Sequence, residues 1–180
     1  MNTSILTNMI MNNLMPSVEG QVIIKDSVYE FANTFDTPND PKLWYSLVVE
    51  ETFEFYEEFV LNGVTPNLLK EYADVLYVIA GFIRLEDTTD YAVNDKQYYK
   101  LLNTLQFAED VVLSLFSTEL VMEAFERVHL SNMSKLDKDG NVLRHASGKV
   151  MKSDLYQKPN LNDLINKEEM IQEAKTQLGA

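Results

Sequence analysis

Two pairs of carboxylates inside otherwise apolar helical runs constrain this chain more than any other feature. The runs are LWYSLVVEETFEFYEEF and LLKEYADVLYVIAGFI; the pairs are Glu51 with Glu54, directly preceded by Glu50, and Glu71 with Asp74. Each pair is spaced three residues apart, which on a helix puts both acids on one face about a turn apart. Like charges stacked on one face destabilise a helix unless something offsets them. A hard divalent cation, which takes oxygen ligands, is the natural counterweight.

Boundary signals place the two runs in a hairpin. Asp40 is an N-cap residue with Pro41 at the first helical position, and Asn62-Gly63 closes that helix some 20 residues later. Thr65-Pro66 repeats the start for a helix reaching about Leu85. So short a connection makes the two helices antiparallel neighbours, able to set Glu51 and Glu54 opposite Glu71 and Asp74.

Helical spacing also predicts a first core helix over 25–35 through Val28, Phe31 and Phe35. A helix over 95–116 is opened by an Asn94/Gln97 capping box, and another begins at Thr118-Glu119 and carries Val121, Met122, Phe125 and Val128. After Lys135 the period changes. Asp139-Gly140 and Ser147-Gly148 are turn signals between short apolar runs, which predicts a small β-hairpin or extended flap over about 136–158. The expected organisation is all-α: an N-terminal arm over 1–20 broken by Pro16 and Gly20, a helical domain over 21–161, and a C-terminal helix or tail over 162–180.

Composition narrows the partners. The formal charge is −13, yet the segment 135–158 holds six Lys/Arg against three Asp, a net of +3 that leaves −16 for the rest. The overall balance argues against a nucleic-acid polymer, which clustered basic residues grip. An acidic body with one basic segment instead suggests a small anionic ligand bridged to the carboxylates by metal. No cysteine and two histidines, His129 and His145, exclude a thiolate site and leave little for zinc; the absence of cysteine suits a reducing, cytoplasmic setting. No apolar stretch approaches a membrane span, and the first residues lack the basic region of a signal peptide.

E-x-x-E, sixteen residues and E-x-x-D on a helical hairpin resembles the all-α nucleoside triphosphate pyrophosphatase superfamily. Glu50-Glu51 before Glu54 looks like its MazG-like branch, related to dimeric dUTPases, dCTP pyrophosphatases and phosphoribosyl-ATP pyrophosphatase. The stretch Val128-His129-Leu130-Ser131-Asn132-Met133-Ser134-Lys135, followed by Asp139-Gly140, Gly148-Lys149, Lys152, Tyr156 and Pro159, is similar to that branch's VHRSNMSK segment and tail. Leu130 departs from it, standing where Arg is frequent, and 86–116 looks longer than the usual link.

The resemblance implies a four-helix-type bundle and a homodimer or homotetramer. It also implies Mg²⁺, with Mn²⁺ able to substitute, on Glu51, Glu54, Glu71 and Asp74. The activity implied is hydrolysis of a (d)NTP, of the dUTP or dCTP type, to (d)NMP and diphosphate, for nucleotide-pool cleaning or balance. Glu50 would orient or deprotonate the attacking water, while Asn132, Lys135, Lys149, Lys152 and Tyr156 would meet the substrate.

Plainer readings stand beside these. Single helical acids usually form a solvated face, as expected for Glu57 and Glu58. The tail lysines could serve solubility. Trp44, Tyr45, Phe53 and Phe55 read mainly as core, with one able to stack on a base, and His129 reads as a hydrogen-bonded core or interface residue. A di-iron bundle needs two Glu-x-x-His pairs, and only Glu126/His129 has that spacing. The non-enzymatic alternative is a helical nucleotide-binding or regulatory module of the same fold.

Overall fold

A computed structural model describes residues 18–85 and 95–166 of the 180-residue chain. Among them are five long helices: α1 Val18–Thr34, α2 Pro41–Asn62, α3 Pro66–Ile83, α4 Asp95–Leu115 and α5 Thr118–Met133. None is long and apolar enough to cross a membrane. The described residues are all-α.

The hairpin forms by the local chemistry that its sequence carries. Asp40 accepts a hydrogen bond from the Lys42 amide at 2.9 Å, and Thr65 accepts one from the Leu68 amide at 3.0 Å. Gly63 ends α2 at φ 69°, in the left-handed region that glycine enters without a Cβ clash. Glu58 is not simply a solvated acid. It accepts from Asn62 Nδ2 at 2.9 Å and Thr65 Oγ1 at 2.6 Å, tying the turn together, while Glu57 is exposed.

Helix α3 is apolar around nearly its whole circumference and packs against all four other helices. A helix hydrophobic on every side belongs inside, so α3 carries Glu71 and Asp74 into the interior with it. Its tightest contact is with α2 at Gly81, where any Cβ would overlap the Trp44 ring. Trp44 and Phe55 are core residues, as expected. Phe53 is not: it stands 64% exposed because it follows Thr52, whose face turns inward.

Several boundaries differ from those the sequence suggests. Helix α1 begins at Val18, so Gly20 lies inside it and breaks nothing; Pro16 and the rest of 1–17 are outside the described residues, as are Asn94 and 167–180. Helix α5, by contrast, begins at Thr118 as expected, capped by Ser117, which accepts from the Leu120 amide. Helix α4 packs on α2 and α3 through Leu105, Ala108 and Val112.

The segment after α5 folds without strands, so the anticipated hairpin reduces to one isolated antiparallel bridge, Arg144 with Val150. Backbone bonds flank that bridge, Met151 N to Leu143 O at 2.8 Å and His145 N to Lys149 O at 2.9 Å, and side chains tie the segment to the rest of the fold. Arg144 donates to the Phe35 and Asp36 carbonyls at the corner between α1 and α2. Ser131 Oγ donates to Gln157 O at 2.6 Å, and Ser153 Oγ to Leu136 O at 2.7 Å. The packed core continues to Leu164 in a helical turn over 162–166, which Arg127 secures through Asp163 at 2.6 and 2.8 Å.

Candidate metal centre and adjoining cleft

The antiparallel packing of α2 on α3 brings Glu51, Glu71 and Asp74 together, with a carboxylate oxygen of each inside a mutual distance of 4.8 Å. Glu71 is buried; Glu51 and Asp74 are half-buried. Such crowding leaves its mark on ionisation. Burial, then the charges of Asp74 and Glu54, pushes the Glu51 carboxyl up to about 8, against the opposing pull of Lys149 and Lys70. Burial also raises Glu71, and Lys70 opposes that rise.

Lys70 is the residue the motif did not point to. Its ammonium lies 2.9 Å from Glu71 and 2.8 Å from Asp74. Burial alone would lower its pKa, but its bonds to the two carboxylates raise it, so it stays charged. The signal was present in the sequence: Lys70 precedes Asp74 by four residues, a pairing distance on a helix. Asn67 adds a donor to Glu71 at 3.1 Å.

Glu54 differs from the expected four-carboxylate set. It is exposed on α2 and its oxygens lie outside the trio, although its charge reaches both Glu51 and Glu71. Glu50, also exposed, forms a 2.7 Å ion pair with Lys149 from the segment after α5. An all-oxygen trio, partly buried and close enough to share one ion, fits a hard divalent cation. Lys70 sets a positive charge directly against two of the three acids.

An open cleft leads away from the trio. Glu51, Asp74, Asn132, Lys135 and Lys149 line its polar part, and Phe31, Leu43, Trp44, Leu47, Tyr77 and Val150 are among its apolar lining. Leu43, Leu47 and Glu51 recur every four residues along one face of α2, so the cleft follows that helix for about 12 Å. Lys135 is held over the Phe31 ring at 5.8 Å, and burial depresses its pKa to about 8, with Asp74 opposing. Asn132 is 7% exposed.

Known proteins add nothing to this geometry. No family model, no curated protein and no solved structure matches the chain.

Of the residues singled out in the sequence, the cleft unites Glu51, Asp74, Asn132, Lys135 and Lys149, with Glu71 behind and Glu50 at its edge. Lys152 and Tyr156 do not line it; they pair with each other, the ammonium 4.7 Å from the ring centroid. His129 is a hydrogen-bonded structural residue, bridging the Tyr77 hydroxyl and Glu30 at 3.1 Å each. Tyr77, whose ring stacks on Phe125, is thereby fixed in the cleft wall. Tyr77 and Leu47 escaped the sequence reading because an apolar residue facing a cleft has the same helical spacing as one facing the core.

Proposed function

We propose that this protein is a divalent-cation-dependent nucleoside triphosphate pyrophosphohydrolase, converting (d)NTP and water to (d)NMP and diphosphate. The observation that carries the reading is the continuity of three converging carboxylates with an apolar cleft that also presents Lys135, Lys149 and Asn132. Carboxylates and ammonium groups side by side suit a polyanion bridged by a cation, and the apolar length beyond suits the nucleoside attached to it. Glu51, Glu71 and Asp74 would hold Mg²⁺ or Mn²⁺, with Glu54 swinging in from the surface; when bound, the ion neutralises phosphate oxygens and lowers the pKa of coordinated water.

The chain's own groups do the rest. Lys135 and Lys149 neutralise phosphate charge, the latter exchanging its Glu50 partner for a phosphate oxygen. Glu50, freed at the edge of the trio, orients the attacking water and takes its proton. Asn132 donates an amide hydrogen bond inside the cleft. Lys152, whose charge reaches Lys135, would meet the outer phosphates together with Tyr156 once the lysine rotates off its ring. Lys70, which contacts Glu71 and Asp74, would have to release them for those carboxylates to hold the ion.

The same reading extends to a MazG-like four-helix bundle of α1, α2, α3 and α5, assembled as a homodimer or homotetramer. Val49, Phe53, Tyr56 and Val60 support it, forming an exposed apolar stripe on the outer side of α2. The dUTP or dCTP class heads the substrate panel. A second reading, a nucleotide-binding module without turnover, is favoured by the occupation of Glu71 and Asp74 by Lys70 and by the outward Glu54.

The test is pyrophosphate release from common and modified (d)NTPs with Mg²⁺ or Mn²⁺, wild type against Glu54→Gln. Undiminished Mg²⁺-dependent release by Glu54→Gln would sink the scheme. Nucleotide-induced thermal stabilisation without any release would establish the binding module instead.

A further inference from the structure

Two ammonium groups line the cleft, and the protein treats them differently. Lys149 pairs with Glu50 at 2.7 Å. Lys135, just past the end of α5, forms neither a hydrogen bond nor an ion pair with any described residue. Its nitrogen is not one of the enclosed, partnerless side-chain atoms among the described residues, so it keeps surface that a ligand can reach.

The surroundings of Lys135 favour the neutral amine. Helix α1 contributes the Phe31 ring, whose centroid is 5.8 Å from the nitrogen, a weaker compensation for lost water than a carboxylate in contact. Burial pushes the pKa down to about 8; Asp74 of α3 and Glu51 of α2 oppose the fall, while Lys152 and Lys149 from the segment after α5 add to it. A desolvated amine beside other cations is the setting in which lysine becomes a nucleophile and forms imines with carbonyl compounds.

We propose that Lys135 is a covalent modification site, a nucleophilic amine that captures phosphorylated aldehydes as reversible imines. The neutral nitrogen adds to the carbonyl carbon; its two hydrogens leave with the carbonyl oxygen as one water, and the carbon–nitrogen double bond remains. Lys149 supplies the phosphate contact, since its pair with Glu50 is a surface one that parts at little cost. Phe31, Trp44 and Tyr77 give the cleft aromatic walls that suit a planar aldehyde. The inference goes beyond the pyrophosphohydrolase reading and does not depend on it. An imine at Lys135 would close the cleft beside the acid trio to any other anion.

The experiment treats the full chain with pyridoxal 5′-phosphate and then with borohydride, whose hydride adds to the imine carbon and fixes the label as a secondary amine. Peptide mass spectrometry then maps the label. At pH 7 about one-tenth of an amine titrating near 8 is neutral, against roughly one part in 2,500 for an ordinary lysine. Lower basicity takes back about tenfold in intrinsic nucleophilicity, on the slope known for thiols. Label should therefore enter Lys135 about twentyfold faster than the average of the chain's eleven other lysines, with a rate that rises with pH to a half-maximum near 8. Pyridoxal, the same aldehyde without the phosphate, should lose at least about tenfold of that preference when each sample is normalised to its other lysines, the least a charge-assisted hydrogen bond allows.

An even spread of label over the lysines, or label centred on Lys149 or Lys152, overturns the inference. So does a preference for Lys135 that pyridoxal keeps in full. Lys135→Arg, which retains the cation without the nucleophile, should abolish the fast phase of total incorporation, and a surviving fast phase refutes the assignment. The mapping uses wild type alone, so it decides the matter even where that variant fails to fold. Labelling is read without nucleotide or metal, and its outcome stands apart from that of the pyrophosphate assay.

Discussion

Replacing Lys70 with Met tests whether the three carboxylates form a cation site. In the free protein the Lys70 ammonium contacts Glu71 and Asp74 at 2.9 and 2.8 Å, with side chains only 22%, 9% and 17% exposed. Removing one member of a fully buried ion pair costs about 3–5 kcal/mol. Partial exposure here lets water screen the stranded acids, and some of them will protonate, so about 2–3 kcal/mol is the reasoned loss. For a chain of this size each kcal/mol shifts the melting temperature by about 2–4 °C, giving a drop of roughly 5–10 °C in EDTA.

The same substitution removes the occupant that a divalent cation must displace. Mn²⁺ or Mg²⁺ should therefore bind Lys70→Met more tightly than wild type. At 100 times Kd the ion returns about 2.7 kcal/mol, enough to recover most of the loss. The assay is thermal unfolding in EDTA against a Mn²⁺ series, with Mn²⁺ affinity read by the paramagnetic resonance signal of the free ion. Equal melting of the two proteins in EDTA would show that Lys70 neutralises nothing. A Lys70→Met variant that melts early but gains nothing from either metal would refute the cation site.

Three further outcomes follow from the same structure. In EDTA, stability should fall as pH rises from about 4.5 to about 8, because folded Glu51 keeps a proton that the unfolded chain has released; one extra bound proton gives a slope near 1.4 kcal/mol per pH unit. Folded Lys135, lowered from 10.5 to about 8, binds less proton than the unfolded chain in the window above, so stability should turn upward there, and urea midpoints across pH 5–10 should show a minimum near 8 that Glu51→Gln flattens. Gly81→Ala should lower the melting temperature despite alanine's better helix propensity, since its methyl overlaps the buried Trp44 ring and overpacking of that kind costs about 1–3 kcal/mol; unchanged melting and unchanged Trp fluorescence would refute the close approach. Ser117→Ala should cost about 1 kcal/mol through loss of the α5 cap, read as a shift of about 2–4 °C, and no shift would assign the cap elsewhere.

Much of the helical framework is legible in the chain alone because it rests on local chemistry. Asp40-Pro41, Thr65-Pro66 and Gly63 act through bonds and dihedrals within a few residues of themselves, so their meaning survives without tertiary context. The i,i+3 spacing of the acids is equally local, and it put Glu51, Glu71 and Asp74 on converging faces. Thr118-Glu119 likewise marked where α5 begins, with Ser117 as its cap.

What the sequence by itself determined, then, is where the capped helices of the hairpin begin and end and which carboxylates share a helical face. Only the tertiary structure decided which of those groups meet. Glu54 stays in solvent while Glu51 joins Glu71 and Asp74, although both have the same residue type and lie three positions apart on one helix. Arg144 spans more than a hundred positions to fasten the corner between α1 and α2, and the run expected as a hairpin or extended flap pairs only briefly around Arg144 and Val150. The physical reason is range. Caps and helical periodicity act over one turn, whereas a cleft depends on the angle and distance between elements far apart in the chain, set by packing summed over the whole core.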